Sequence, residues 1–276
     1  MSLDAVERTP PGPGLLRRSR KERPSTELLC EYVFRPVAHL VVLALLPLRV
    51  PPPAVVLAAT AVGLGAALEI ARGQLVAGAL LLQLKTVLDN ADGQLARASG
   101  RVSALGRYLD SESDLLVNAA VFAALAYQTG EAGLAAAAFV VLTLVLSVDF
   151  NLERLYRAER GDSREAMPPA TGFAAFLARV YGLVYRPQDR LVERSVEWRL
   201  SRLEAGPEAR LAYHDRATLR VLVNFGLSTQ LAVLGLCLVL GHPPTYLWLV
   251  LGCGAALVPL ELRREHRARL VTRQTI

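Results

Sequence analysis

Apolar residues in this chain come in long blocks separated by short polar interruptions. Residues 54–71, 74–88, 115–128, 132–148, 221–240 and 244–262 are six such blocks, and a helix that crosses a membrane needs roughly 20 mostly apolar residues. The second and third blocks reach that length only if their helices continue through 89–97 and 106–114. Four carboxylates then enter the membrane edge, a costly placement for groups without a task. The pattern predicts an all-α integral membrane protein with six transmembrane helices. A shorter block, 37–48, lies between Pro36 and the Pro51-Pro52-Pro53 run. At about 12 residues it is too short to span, and it predicts an interfacial amphipathic helix ahead of the spans. It starts too late, behind a polar stretch and without a small-residue cleavage site, to be a signal peptide.

The polar segments divide the rest. Residues 1–29 read as a flexible basic tail containing RRSRKER at 17–23, and 263–276 as a second basic tail. Between them, 30–262 form one membrane domain, whose longest non-spanning stretch is 156–216. Phe173, Phe176, Leu177, Val180 and Val184 recur there at helical spacing, and Val192, Val196 and Leu203 form a second pattern beside Trp198. Two basic amphipathic helices on the cytoplasmic surface satisfy both patterns, as does a small soluble helical hairpin. No internal repeat of fixed period is present.

Composition narrows the class. Apolar side chains make up 53% and charged ones 20%, against about 45–50% and about 25% in soluble domains, which excludes disorder and collagen-like repetition. Three cysteines, two of them (Cys237 and Cys253) inside apolar blocks, exclude a disulfide scaffold. The net charge is +6 from 31 basic residues, all arginine except Lys21 and Lys85. With six spans and the N-terminus inside, every basic residue except Arg72 and Lys85 falls on the cytoplasmic side or its edge. That bias orients the chain in the cell membrane with 89–114 facing the cytoplasm. No basic stripe with interleaved aromatics occurs, so the charge signals topology and anionic lipid rather than a nucleic-acid partner.

The chemistry is concentrated in KTVLDNADGQLARASGRVSALGRYLDSESDLLVN, residues 85–118. Asp89, Asp92, Gly93, Ala96 and Arg97 share one side of a helix at roughly 100° per residue. Gly106, Asp110 and Asp114, at spacing four, form another single stripe. Gly100 suits a left-handed end to the first helix and Ser103 an N-cap for the second. The two antiparallel helices then bring the four aspartates together just inside the cytoplasmic face. Crowded carboxylates stay ionised only if cations compensate them. Oxygen ligands without Cys or His favour Mg²⁺ or Mn²⁺, and two such ions would suit phosphoryl transfer. Gly93 and Gly106 would admit a bulky phosphate ligand close to the backbone, and Arg97 can grip a phosphate with two nitrogens. Small residues at spacing four also occur wherever membrane helices pack. Eight fixed positions, however, match by chance on the order of once in 10¹⁰ windows.

Asp89-x2-Asp92-Gly93-x2-Ala96-Arg97-x8-Gly106-x3-Asp110-x3-Asp114 resembles the complete signature of the CDP-alcohol phosphotransferases, and the wider resemblance covers about 30–262. It implies that Asp89, Asp92 and Asp110 bind a metal pair, with Asp114 sharing in it or serving as general base. Gly93, Ala96, Arg97 and Gly106 would form the cytidine-diphosphate site. The implied reaction moves a substituted phosphate from a CDP-linked lipid such as CDP-diacylglycerol to an alcohol, releasing CMP. Inositol phosphate, glycerol phosphate and serine are all compatible acceptors. A CDP-choline or CDP-ethanolamine donor acting on a lipid alcohol is the alternative enzyme. A multi-span cation transporter and an inactive scaffold are the alternatives from other classes.

Outside the motif, Lys85 reads as an ion-pair partner of Asp89, four residues on, or as a holder of an acceptor's phosphate. Asn118 extends the Asp110–Asp114 stripe by one turn. Asp149, Asn151, Glu153, Arg154 and Arg157 form either an interfacial polar collar or part of an acceptor pocket. Arg101 and Arg107 flank the motif and are further candidates for an anionic acceptor or lipid head groups. Glu69 and Arg72 read as a surface ion pair. The four histidines show no metal-ligand spacing. Gly63 and Gly65 suggest a homodimer through close helix packing.

Overall fold

A computed structural model describes residues 23–162 and 171–275. Of the basic tail over 1–29, residues 1–22 lie outside the described residues. So do 163–170 of the 156–216 insertion and Ile276 of the second tail.

Every regular element among the described residues is helical. A π-helical turn, Cys30–Phe34, leads into α1 (Arg35–Leu45). There follow α2 (Pro52–Ala71), α3 (Leu75–Ala98), α4 (Ala104–Thr129), α5 (Ala132–Ala158), α6 (Phe173–Arg202), α7 (Pro207–Tyr213), α8 (Arg216–Leu222), α9 (Leu227–Val239) and α10 (Pro243–Thr275). Three helices, α2, α5 and α10, are long and apolar enough to cross a membrane, and the bent stretch from Pro207 through α9 makes a fourth if taken as one span. α3 and α4 have the length, with 24 and 26 residues, but their own charged residues interrupt the apolar run.

Local sequence explains the boundaries. Pro51 precedes α2 in extended conformation and prolines fill its first two positions, where the missing N–H costs nothing. Between α3 and α4, Gly100 sits at φ +66°, and the Arg101 N–H reaches back to the Ala96 carbonyl at 2.8 Å. This is the glycine-ended helix stop expected from the sequence. The Ser103 hydroxyl accepts from the Gly106 N–H at 3.1 Å, the expected N-cap.

Two expectations need correction. The block 221–240 is not one straight helix: a 3-10 turn, Val223–Phe225, and an extended Gly226 (ψ 163°) separate α8 from α9 with a 42° bend. Glu27 wedges there, its carboxylate accepting from both the Thr229 N–H and hydroxyl at 2.8 Å. It thus satisfies an N-terminal donor of α9 from a distant segment. The insertion does not hold two amphipathic helices over 173–184 and 192–203 but the single 30-residue α6, which runs through Pro187. The carbonyl that proline leaves unbonded belongs to Leu183, and both residues are exposed, so the interruption falls on the open side of the helix. Phe173 and Phe176 are exposed, whereas Leu177, Val192 and Val196 are buried.

α2 organises the bundle. Both α3 and α4 pack closely on it rather than on each other, while α3 also carries α9 and α1, and α4 carries α5 and α6. The main core joins residues of α2, α3, α4, α5, α9 and α10, such as Ile70, Leu82, Val121, Leu142, Leu234 and Leu247. A second apolar cluster gathers Leu152, Val196, Leu200, Tyr213, Leu222 and Ala268. It ties the end of α5, the second half of α6, α7, α8 and the far end of α10 into a cap. Gly63 and Gly65 are used inside the chain: Gly63 faces Val117 and Lys85, Gly65 faces Leu81. The two glycines therefore lend no support to a homodimer.

A methyl group on Gly63 would fall 2.6 and 2.8 Å from the Val117 methyls, whereas one on Gly65 would meet only Leu81 at 3.9 Å. Thermal unfolding of the detergent-purified protein should separate the two. Gly63→Ala should cost about 1–3 kcal/mol through overpacking, and Gly65→Ala should be neutral or stabilise by up to about 1 kcal/mol through helix propensity.

Candidate active site

Three of the four aspartates converge. Asp89 and Asp92 from α3 and Asp110 from α4 each place a carboxylate oxygen within 4.8 Å of the others. Asp92 is 6% exposed, and its Oδ2 is buried without a hydrogen-bond partner. An ionised oxygen kept from water and left unpaired is costly, and a cation is the partner that relieves it. The donor set is all oxygen, as a hard divalent ion requires. The residues therefore fit Mg²⁺ or Mn²⁺.

Asp114 lies one turn further along α4 and is engaged by Lys85, whose Nζ also donates to Asp89 Oδ1 at 3.0 Å. The ion pair with Asp89 expected from the spacing is present, and the second pair, to Asp114 across the two helices, is an addition to it. Asn118, on the same stripe, is buried.

The remaining motif residues surround this cluster. Arg97 folds back over Gly93, so that a methyl group there would meet its guanidinium at 3.2 Å. Gly93 thus gives room first to Arg97. Gly106 stands in the first turn of α4, against the Ser103 hydroxyl. Ala96 is half-buried and its carbonyl closes the α3 stop.

Several residues near the site carry no motif signal. Gln94 ties α3 to α1 through the Arg35 carbonyl at 3.1 Å. On α6, the Tyr185 hydroxyl donates to the Ser111 carbonyl at 3.2 Å, between Asp110 and Asp114 in sequence. Burial, then the carboxylates of Asp114 and Glu112, push its pKa upward. Tyr181 stacks on Tyr185 with centroids 4.6 Å apart and meets Tyr108 edge-on at 5.6 Å. Asp189 accepts from Asn151 Nδ2 at 2.7 Å. Tyr181, Tyr185 and Asp189 stand at spacing four, the same stripe pattern that marks Asp110 and Asp114, and that spacing could have exposed them.

Of the polar residues expected as a collar or acceptor pocket, Asn151 and Arg154 contact α6. Asn151 is fully buried and accepts from Arg154 at 3.0 Å; Arg154 also pairs with Glu193 of α6. Arg157 pairs with Glu153 and Asp162, and Arg23 reaches Glu153 at 3.6 Å. Arg101 donates to the Arg49 carbonyl at 3.4 Å. Glu69 and Arg72 form the expected surface pair at 3.1 Å.

The profile of the CDP-alcohol phosphatidyltransferases matches residues 40–199, more than half of the chain. The chain belongs to this family. The matched stretch contains both motif helices and all of α6 except its last residues. A bifunctional IPC transferase and DIPP synthase of Thermococcus kodakarensis (strain ATCC BAA-918 / JCM 12380 / KOD1) is 50% identical over 50 residues. That match spans 18% of this chain and 12% of the relative, so the two share a short segment.

The Asn151 clamp has a measurable consequence. Asn151→Leu strands the partly buried Asp189 and should cost about 1–3 kcal/mol. Hydrogen exchange should accelerate over 173–202 while α2 and α3 keep their protection.

Proposed function

We propose that this protein is a six-span membrane enzyme that transfers a phosphatidyl group from a CDP-linked lipid, such as CDP-diacylglycerol, to the hydroxyl of a polar alcohol, releasing CMP. The observation that carries the reading is the three-carboxylate cluster with its unpartnered Asp92 oxygen, on two helices that also hold every other position of the family motif. α2, α3, α4, α5, the bent stretch from Pro207 through α9, and α10 are the six spans. α1 lies in the interface, its Val37, Leu40 and Leu43 exposed while Ala38 and Val42 pack inward. The arginine bias puts the site at the cytoplasmic face.

Asp89, Asp92 and Asp110 would hold the divalent metal pair, Mg²⁺ or Mn²⁺, with Asp114 sharing in it or serving as general base. When bound, it supplies positive charge against the pyrophosphate and the departing CMP. Arg97 grips a donor phosphate, and its swing away from Gly93 opens the backbone of α3 to the cytidine diphosphate, with Ala96 and Gly106 as further low walls. The acceptor hydroxyl attacks the phosphorus distal to cytidine. The new P–O bond forms as the bond to CMP breaks, and the hydroxyl proton passes to a carboxylate, Asp114 in this reading. The acyl chains enter between the helices while the head group faces water. The product is a phospholipid, which places the protein in lipid biosynthesis.

Detergent-purified protein with CDP-diacylglycerol and Mg²⁺ or Mn²⁺ should release CMP when the correct member of an alcohol panel is added. Asp110→Asn should lower the rate at least about a hundredfold. Release from CDP-choline or CDP-ethanolamine instead, with a lipid alcohol as acceptor, would reverse the donor assignment. Silence with every donor would reject the phosphotransferase reading.

A further inference from the structure

One face of α6 is packed and the other is bare. Phe173, Phe176, Leu183, Leu191 and Trp198 are each more than half exposed. At roughly 100° per residue they fall within an arc of about 80°, opposite Val192, Val196 and Leu200, which are buried. The stripe runs about 38 Å along the helix at about 1.5 Å per residue. A continuous apolar strip of that size marks a contact surface, unlike single exposed side chains. The helix is too polar to span: six arginines and three carboxylates lie among its 30 residues.

Those charges are not evenly spread. Asp189 is taken up by Asn151, Glu193 by Arg154 and Glu197 by Arg210. Arg179, Arg186 and Arg190 line one edge of the stripe and Arg194 lies within it. All four are exposed and make no ion pair among the described residues. The open face is therefore apolar along its middle and positive along its edge. Its level is also defined. Tyr185 meets α4 at Ser111, among the motif aspartates, and Asp189 meets α5 at Asn151, just past the apolar run that ends at residue 148. Both are points where a span passes from hydrocarbon to water.

We propose that α6 is seated in the leaflet on the side of the aspartate site, its apolar stripe among the upper acyl chains and its arginines on the phosphates of anionic lipids. A helix standing in water would leave the whole stripe hydrated. A two-fold contact with a second copy would cover the stripe but set the same arginines against each other. A negatively charged lipid surface meets both features at once, because it attracts the arginines and admits Phe, Leu and Trp below the head groups. The proposal concerns α6 and stands whatever the donor and acceptor are.

The test reads tryptophan depth in the full-length protein held in lipid nanodiscs. Trp198 and Trp248 are the two tryptophans of the chain, so Trp248→Phe leaves Trp198 as a reporter on the stripe. Lipids brominated high on the acyl chain should lower its emission at least about twofold, and aqueous acrylamide should quench it at least about threefold less than in the denatured chain. Lipid quenching should be stronger in discs of phosphatidylcholine with phosphatidylglycerol than in phosphatidylcholine alone. Arg179→Gln, Arg186→Gln and Arg190→Gln together should remove that difference. Should Trp248→Phe fail to fold, the difference between wild type and Trp198→Phe carries the same signal. Quenching by acrylamide without quenching by brominated lipid would overturn the proposal and place α6 in water. Shielding from both quenchers would overturn it in favour of a second copy on the stripe. Equal lipid quenching in neutral and anionic discs would overturn the contact between arginines and lipid phosphates.

Discussion

Carboxylates on helices otherwise suited to hydrocarbon set the terms for what surrounds them. An ionised group kept from water must be paired, hydrogen-bonded or bound to a metal. Here three solutions operate within a few ångströms. Lys85 bridges Asp89 and Asp114. Asp89, Asp92 and Asp110 face one another with one oxygen of Asp92 unpaired, a placement that a divalent cation would relieve. Arg97 covers Gly93 beside them. The packing follows from the same constraint: Lys85 and Val117 both approach α2 at Gly63, so α3 and α4 share α2 as a common support.

The cap at one end of the bundle connects to the site through α6. Its first half contributes Tyr181 and Tyr185 to the flank of α4, and Asn151 and Arg154 of α5 fix its register through Asp189 and Glu193. Its second half joins the cluster of α7, α8 and the end of α10, with Arg199 paired to Glu261 and Glu265 of α10. A segment that in the sequence resembles a surface insertion thus buttresses the helix that carries two of the motif aspartates. Polar residues around the ends of the spans serve mainly as joints between helices. The Asn151–Asp189 and Tyr185–Ser111 joints are partly buried hydrogen bonds, which specify alignment as well as adding stability.

Much of this was legible in the sequence, for a physical reason: helix period and capping chemistry act over a few residues. The spacing of Asp89, Asp92, Asp110 and Asp114 on two single-sided stripes, the left-handed Gly100 and the Ser103 cap were all readable before any tertiary contact was known. The helical character of the chain and its family followed from the same local patterns. Lys85–Asp89, at one helical turn, and Glu69–Arg72 were readable in the same way.

What the chain does between distant residues was decided only in three dimensions. Apolar content gave no warning that Glu27 would break the 221–240 block at Gly226, because the group responsible lies some 200 positions earlier in the chain. The exposed face of α6 accommodates Pro187 within one continuous helix. Small residues at 63 and 65 look alike in sequence, yet Gly63 meets two partners at close quarters and Gly65 barely one. The fourth aspartate belongs to the motif by spacing and to Lys85 by contact. Local sequence sets which residues share a helix face; the packing of helices on α2 sets which charge each of those residues meets.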